Sequence, residues 1–365
     1  MKNILIIVPE LSRGGGAEKI AGKLGYLFEQ NNFNVKILTF YESVSPYEHS
    51  KKIISLNQRK GSGKLSFFRV FKRANEIKKI CEKHNITTKI SFLEDANFAN
   101  ILSSMMGDSA KTIISVRNNP EIYFKKSPFY ANIMKKLYNK ADLTVCVAKG
   151  VENSLKRNYK ISNTKTISNM INTNRKENDK IKLKTKSPNI LMIGRFIEQK
   201  GHKELFKTIE YMKTKPNIYI LGDGNLKKEL LRIKPNNVTF LEKTNNVSKF
   251  IKSADVVLSY SKWEGMSNII LEAINQNKPV ITTDHKYGAR EVLANITDYD
   301  KELKYPYKTS CGVLITPIEH ENFSYERSAK ELEEALEMIK TIKNPRKRVF
   351  DFDENKIIDS WIEII

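Results

Sequence analysis

Short apolar runs rich in β-branched residues recur along the whole chain, each separated from the next by a longer segment of helical period, which is the pattern a parallel sheet with crossover helices requires. In the first half the runs are Ile4–Val8, Val35–Thr39, Ile90–Phe92, Thr112–Val116, Leu143–Val147 and Thr166–Ile167. In the second half they are Ile190–Ile193, Ile218–Leu221, Val238–Leu241, Val256–Ser259, Val280–Thr282 and Val313–Ile315. Each half therefore reads as its own doubly wound α/β domain, one over residues 1–168 and one over 189–350, with a terminal segment 351–365. Between them, Asn169–Pro188 is polar, rich in Lys and Asn and without apolar period, which predicts a linker. No short-period repeat is visible, so a solenoid is excluded. Open parallel sheets bind ligands at the carboxyl ends of their strands, and two such domains facing each other would make a cleft. Function is to be sought in the turns after strands.

At 365 residues the chain is long enough for two full cores, and its 40% hydrophobic content comes in compact clusters, unlike a disordered chain. The longest aliphatic run, Ile4–Val8, is far short of the ~20 residues of a membrane-spanning helix, and its flanks do not resemble a signal peptide. A soluble or peripheral protein is expected. Cys81, Cys146 and Cys311 have neither CxxC nor Cys/His ligand spacing, so no disulfide framework or zinc site is predicted and a reducing cytoplasm fits. The net charge is +22, and residues 1–170 hold most of it, with 29 Lys plus Arg against 13 Asp plus Glu. That asymmetry suggests a polyanionic partner, such as an acidic membrane surface, phosphates or nucleic acid. A coding bias toward Lys, Asn and Ile explains the total better than the asymmetry.

The first strand leads into Gly14-Gly15-Gly16-Ala17-Glu18-Lys19 and an amphipathic segment with Ile20, Leu24 and Leu27. Glycines there let N–H groups at a helix N-terminus approach a phosphate or sugar, although a tight connection explains the loop equally simply. The pattern is not GxGxxG, and no acidic residue is clearly placed at the end of the second strand, so a nicotinamide cofactor fits poorly.

The second domain carries a sharper signal. After Ile190–Ile193 comes Gly194-Arg195-Phe196-Ile197-Glu198-Gln199-Lys200-Gly201-His202, in which Arg195 offers a planar donor fork and Lys200 a mobile point charge. The combination suits two phosphates of one diphosphate; in isolation it also describes two exposed cations beside a turn. After Val256–Ser259 comes Trp263-Glu264-Gly265-Met266-Ser267-Asn268-Ile269-Ile270-Leu271-Glu272. Gly265 permits a turn, and Ser267 or Asn268 is a candidate N-cap. Glu264 then lies in the loop before a helix and Glu272 inside it, with free N–H groups between them. Carboxylates so placed can bind hydroxyls of a ligand whose phosphates sit on the helix terminus.

This E-x7-E segment, preceded by Gly194-Arg195 to Lys200-Gly201, resembles glycosyltransferase family 4, the retaining enzymes of GT-B fold, and the resemblance covers nearly the whole chain. It extends to the Gly14–Gly16 loop, Gly222-Asp223-Gly224, Asn246-Val247, Pro279 to Asp284, Gly288-Ala289-Arg290-Glu291 and Gly312-Val313-Leu314. It also includes a final segment with Trp361 that in this family crosses back to the first domain. The resemblance implies that Arg195 and Lys200 hold the donor diphosphate, Glu272 the nucleotide ribose and Glu264 the hydroxyls of the donor sugar. Gly15, Gly16, Gly194 and Gly265 would line the donor site, and the backbone around Met266, Ser267, Asn268 and Ile269 would contact phosphate and sugar. The chemistry suits those roles: carboxylates accept paired hydrogen bonds from vicinal diols, and cations neutralise the leaving group. Losing one such donor is expected to cost ~2.7–4 kcal/mol.

Three departures from the family pattern stand out. Glu242 replaces a common glycine near the nucleotide base, Asn169-Met170 replaces the interdomain Asn-Gly or Asn-Pro, and Arg117-Asn118-Asn119-Pro120 stands where many relatives have a histidine. Arg117 and Asn118 are thereby candidates for contact with the acceptor or donor sugar, or a loop cation stiffening a turn with Pro120.

Retaining members are thought to react by a front-face route in which the leaving phosphate oxygen takes the acceptor proton, consistent with the absence of an obvious Ser/His/Asp or Cys/His set. No metal is implied, since cations and helix N-termini can do its work, and Asp351-Phe352-Asp353, formally a DxD, lies in the tail. His202 and His285 lie near the proposed site and read as supporting or surface groups.

The acceptor is expected in the basic first domain. Lys64 to Ala74, continuing to Ile80, has aromatic and aliphatic residues at helical spacing among cations that include Lys72 and Arg73, as a helix at an anionic interface has. The other reading is an ordinary crossover helix with Leu65, Phe68 and Phe71 on the sheet. A similar basic helix occurs in family members that extend polyprenyl-diphosphate-linked glycans. The whole predicts a cytoplasmic transferase, peripheral on the membrane's inner face, carrying a hexose or N-acetylhexosamine from a UDP-sugar to a lipid-linked glycan. An epimerase, or a transferase with a soluble acceptor, keeps the same fold. A nucleic-acid-binding protein is supported by charge alone, without a helix-turn-helix, zinc module or RNP-like pattern.

Overall fold

The structure, a computed structural model, describes residues 2–11, 15–42, 52–59, 66–124, 128–174, 179–181, 183, 188–242, 244 and 246–365. Gly14, Lys64 and Leu65 lie outside the described residues. The chain divides into two compact units, one of residues 1–169 with 355–365 and one of residues 170–354.

In the first unit the described elements run β1 (Asn3–Val8), α1 (Gly16–Gln30), β2 (Asn34–Thr39), β3 (Ile53–Ser55), α2 (Ser66–Lys83), β4 (Thr88–Phe92) and α3 (Glu94–Met105). They continue with β5 (Lys111–Val116), α4 (Glu121–Phe124), α5 (Pro128–Tyr138), β6 (Leu143–Cys146), α6 (Lys149–Tyr159) and β7 (Thr164–Thr166). The strands form one parallel sheet in the order β3-β2-β1-β4-β5-β6-β7. Strands covered by helices on both faces must be apolar throughout, and Ile4 to Val8 are all fully buried.

The second unit contains β8 (Asn189–Ile193), α7 (His202–Tyr211), β9 (Asn217–Leu221), α8 (Lys227–Ile233), β10 (Val238–Leu241), α9 (Val247–Ser253), β11 (Val256–Ser259) and α10 (Asn268–Asn275). It continues with β12 (Val280–Thr283), α11 (Ala289–Ala294), β13 (Tyr307–Lys308), β14 (Gly312–Ile315) and α12 (Tyr325–Ile339). Its sheet order is β10-β9-β8-β11-β12-β14-β13, parallel except for β13. Strand residues such as Ile190, Leu258 and Ile281 pack with Leu205 and Phe206 of α7 and Leu332 of α12 in one core. A final helix, α13 (Glu354–Ile362), packs in the first unit, where the fully buried Trp361 ring lies 6.1 Å from that of Phe92.

Two strands were not foreseen. β3 offers only Ile53 and Ile54 between polar neighbours, and β13 is two residues long, so neither produces a readable apolar run. The segment expected as a linker over 169–188 is structured at its start. Asn169 and Met170 are buried, Ile171 bridges Asp353, and the Asn172 side chain donates to Glu354 at 2.5 Å. Among the described residues, no helix is long and apolar enough to cross a membrane.

Candidate active site

In the second unit the turn after β8 is locked from behind. Gly194 N–H donates to Leu221 O (3.1 Å), Phe196 N–H to Asp223 O (2.8 Å) and Leu226 N–H to Phe196 O (3.0 Å). A Cβ on Gly222 would lie 1.9 Å from Gly194 O, so that position requires glycine. Phe196 is fully buried, edge-on to Phe240 and His202. Arg195, between these anchors, is exposed, and its side chain has no hydrogen bond or ion pair among the described residues. Lys200 ends a short 3-10 turn closed by Gly201, whose φ of +67° and close approach to Tyr260 O exclude larger residues.

The loop after β11 is stitched to that turn. Lys262 N–H donates to Gln199 O at 2.8 Å, and Lys262 Nζ bonds Glu198 and, at 2.7 Å, Glu204. Gln199 Nε2 donates to Trp263 O (2.9 Å) and Glu264 Oε2 (3.0 Å). Lys200 Nζ and Ser261 Oγ both donate to Glu264 Oε1, the latter at 3.0 Å. Burial opposes ionisation of Glu264, but Lys200, His285 and these hydrogen bonds outweigh it and hold the carboxyl below the usual carboxylate range.

α10 begins immediately afterwards. Ser267 occupies the N-cap position with extended backbone, yet its side chain makes no cap hydrogen bond, so the candidate N-cap is right in place and not in bonding. The first-turn N–H groups of such a helix have no intrahelical acceptor and bear the positive end of its dipole. Gly265, Met266, Ser267 and Ile269 are buried, while Asn268 and Glu272 are half-buried. Gly288, at φ +84°, lets the next loop press against this turn: a Cβ there would lie 2.1 Å from Gly265 O. The Gly288 turn is itself pinned by Arg290, which donates from Nε (3.0 Å) and Nη2 (2.6 Å) to Asp284 Oδ2, with Tyr305 OH also on Asp284 at 2.6 Å.

Two histidines stand behind these loops. His202 is 2% exposed, and burial together with Lys200 pulls its pKa down to about 4. His285 is fully buried and lowered by the same cause, and neither of its ring nitrogens makes a well-formed hydrogen bond. Both are therefore interior groups and not surface ones.

The sequence-predicted residues of the first unit fare differently. Gly15 is buried ahead of α1, Gly16 is exposed, and the Glu18 carboxylate folds back against Gly15. Arg117 is half-buried, donating to Asn169 Oδ1 and, at 3.4 Å each, to Ser115 Oγ and Ile167 O, with its guanidinium 5.8 Å from the Phe92 ring centre. Burial lowers its pKa to about 9, which still leaves it charged at neutral pH. Asn118 is half-buried and accepts from Asn119 N–H.

Arg73 requires a correction: it does not share the outer face of α2 with Lys72. It is 3% exposed, stacked 4.3 Å over Phe40 and bonded to Gln58 Oε1 (2.9 Å) and Tyr41 OH (3.0 Å). The crossover-helix packing also needs correction, because Phe68 is 72% and Phe71 37% exposed while Ala74, Ile77 and Cys81 face the core. Sequence reasoning missed Gln199, Ser261 and Lys262, polar residues whose partners come from a different loop. In the tail, Asp351 pairs with Arg348 and Asp353 accepts from Thr173, so both carboxylates of the formal DxD have protein partners.

Two doubly wound parallel sheets, with an E-x7-E segment spanning a helix N-terminus beside two cations, define a glycosyltransferase of GT-B type. Residues 173–324 match the family described as glycosyl transferases group 1. The chain is 30% identical over 374 residues to a Campylobacter jejuni enzyme, N-acetylgalactosamine-N,N'-diacetylbacillosaminyl-diphospho-undecaprenol 4-alpha-N-acetylgalactosaminyltransferase, covering 98% of this chain and 97% of that one. It is also 30% identical to an uncharacterized glycosyltransferase of Methanocaldococcus jannaschii, covering 90% and 91%. In fold it is similar to sucrose-phosphate synthase from Thermosynechococcus elongatus, with a TM-score of 0.80 at 16% identity, covering 100% and 98% of the two chains. It is also similar to Anabaena HepE in complex with UDP, with a TM-score of 0.72 at 16% identity, covering 100% and 99%. The chain belongs to the group 1 glycosyl transferases, and it is an enzyme.

Proposed function

We propose that this protein is a retaining family 4 transferase that moves a hexose or N-acetylhexosamine from a nucleoside-diphosphate sugar, with UDP as carrier, to a lipid-linked glycan. The observation that carries the donor half is one cluster: exposed Arg195, Lys200 on Glu264, the α10 N-terminus and Glu272, all at the carboxyl edge of one sheet. In this reading the diphosphate lies on the α10 N–H groups between Arg195 and Lys200, Glu272 takes the ribose diol, and Glu264 takes hydroxyls of the sugar. The developing charge on the leaving phosphate is met by two cations and a helix terminus, so the chemistry proceeds without a divalent metal. The leaving oxygen accepts the acceptor proton on the same face, which retains the anomeric configuration.

The acceptor half draws support from the name of the Campylobacter relative, whose printed acceptor is a diphospho-undecaprenol glycan. It also draws on α2, where exposed Phe68 and Phe71 stand with Lys72, a face suited to an anionic membrane surface. The protein then works peripherally at the cytoplasmic side of a membrane in surface-glycan synthesis. At the first unit's loop, the Glu18 carboxylate beside Gly15 favours acceptor hydroxyls over a phosphate.

The test is thermal stabilisation by UDP, GDP and ADP in EDTA, with Glu272→Ala alongside. Stabilisation by one diphosphate, lost in the variant, is expected; no response to any of the three overturns the donor site.

A further inference from the structure

His285 is a buried imidazole that the donor reading leaves without a task. It is fully buried at the carboxyl edge of the second sheet, two residues past the end of β12, and neither ring nitrogen has a well-formed hydrogen bond. A polar group so enclosed and unsatisfied costs stability, so its presence calls for a state in which it is used.

Two contacts bracket it. Thr283 Oγ1 donates to Ser261 O at 2.7 Å, and Gly288 abuts the Gly265 carbonyl. The segment carrying His285 is thereby clamped along the loop carrying Glu264. Glu264 itself has a second bracket of partners, with Lys200 and Ser261 on Oε1 and Gln199 on Oε2. Of these only Lys200 brings charge, and Lys200 is also the cation that a donor diphosphate draws toward itself. Once it leaves, a carboxylate with an 11% exposed side chain has lost its counter-charge.

We propose that His285 is a positioning residue for Glu264, taking over as its charged partner when a nucleoside diphosphate draws Lys200 away. The inference rests on the donor reading above. Every charged group facing the imidazole fits the exchange: Glu264 and Asp284 favour its protonated form, and Lys200 opposes it until it moves. Asp284 remains bound to Arg290 and Tyr305 throughout, so Glu264 is the acid whose charge goes uncompensated. The Tyr287 backbone carbonyl also faces the ring and favours its protonated form. The only bond made is N–H; the proton comes from solvent when the nucleotide binds and returns to it on release. Glu264 thus stays ionised and fixed to receive sugar hydroxyls at the moment its original partner is elsewhere.

The experiment is calorimetric titration of UDP, then GDP and ADP, into wild type and His285→Asn at pH 6.5 in two buffers of different ionisation enthalpy. The difference between the two proteins cancels the nucleotide's own titration. Wild type is expected to take up more protons per bound nucleotide, by up to about one, and to bind less tightly as pH rises, approaching tenfold per pH unit. Binding with the same proton count in both proteins overturns the assignment of His285 alone. No binding of any of the three by wild type overturns the donor reading and this proposal with it. Should His285→Asn lack a cooperative melting transition, the ring NMR signals of the four remaining histidines in Lys200→Met combined with His202→Phe serve instead, since Lys200 depresses His202 as well. One ring that is neutral in wild type is then expected to titrate near neutral pH without nucleotide, and its remaining neutral overturns the proposal.

Discussion

Lys200 and Glu264, 64 residues apart in sequence, form an ion pair whose carboxylate is also held by Gln199 and Ser261. Its side chains are only 17% and 11% exposed, so Lys200 is a charge already committed, whereas Arg195 is exposed and uncommitted among the described residues. The two cations that look equivalent in sequence are therefore different in energy. In the proposed donor site a diphosphate would meet Arg195 at no internal cost and Lys200 only by exchange with Glu264.

That asymmetry separates two substitutions. Arg195→Ala removes no internal contact, so its unfolding free energy is expected within about 0.5 kcal/mol of wild type. Its kcat/KM is expected to fall roughly a hundred- to a thousandfold. Lys200→Ala is expected to lose activity as well and, at alkaline pH where His285 stays neutral and Glu264 is left buried with its charge unpaired, to destabilise by about 3 kcal/mol or more. Urea denaturation beside a sugar-transfer assay measures both, and equal stability of the two variants would sink the distinction.

Gly288→Ala probes the loop that backs the α10 turn. A non-glycine residue at φ +84° is strained, and its Cβ would lie 2.1 Å from Gly265 O and 2.8 Å from Met266 Cα. Left-handed backbone alone costs about 1–2 kcal/mol. Here the loop must also back away, moving Gly265 and Met266, which belong to the proposed donor site. The expected result is a melting point several degrees lower together with lost stabilisation by nucleotide; unchanged nucleotide binding would show that the loop does not position the turn.

The parts that sequence discloses and those it hides divide along physical lines. The central strands are legible because a strand buried on both faces must be apolar throughout, as Ile4–Val8 is. The edge strands β3 and β13 are not, since few residues and one covered face leave no such run. Glu264 and Glu272 were readable because their relation is local, a loop and the helix after it. Gln199, Ser261 and Lys262 were not, because what joins them is the adjacency of β8 and β11 in the sheet. Arg73 could have been found: it lies three residues after Val70 and four before Ile77, on the stripe of α2 that faces the core. A cation on that stripe points inward, and Phe40 and Tyr41 receive it.

Acid should weaken the fold through His202. Its folded pKa, about 4, lies below the usual 6.5, so between those values the unfolded chain binds more protons than the folded one. Stability from this group is complete above pH 6.5 and declines as pH falls toward 4, by about 2 kcal/mol at pH 5. His285 acts in the same direction. In His202→Phe the ring remains among Phe196 and its neighbours while the titration is removed. Urea midpoints at pH 7.5 and 5.0 should therefore converge in the variant relative to wild type; an identical pH dependence would mean the site hydrates on protonation.

On α2 the burial pattern assigns opposite tasks to adjacent cations, and the membrane reading depends on the outer one. Phe68 is 72% exposed and Lys72 is exposed, so Phe68→Ser with Lys72→Ser removes apolar area and charge from the outer face without touching the core. A fully buried phenyl is worth about 1.5–3 kcal/mol, and a lysine near an anionic surface about 1. Affinity for vesicles containing phosphatidylglycerol is therefore expected to drop about tenfold or more, with the melting point unchanged. Arg73→Ala should do the reverse. It strips the partner from Gln58 and Tyr41 and the cation from Phe40, costing more than about 2 kcal/mol of stability, while vesicle affinity changes little. Co-sedimentation and thermal melting of the two variants give a crossed result if α2 meets the membrane by its outer face, and undiminished vesicle binding by the first variant would remove α2 from that role.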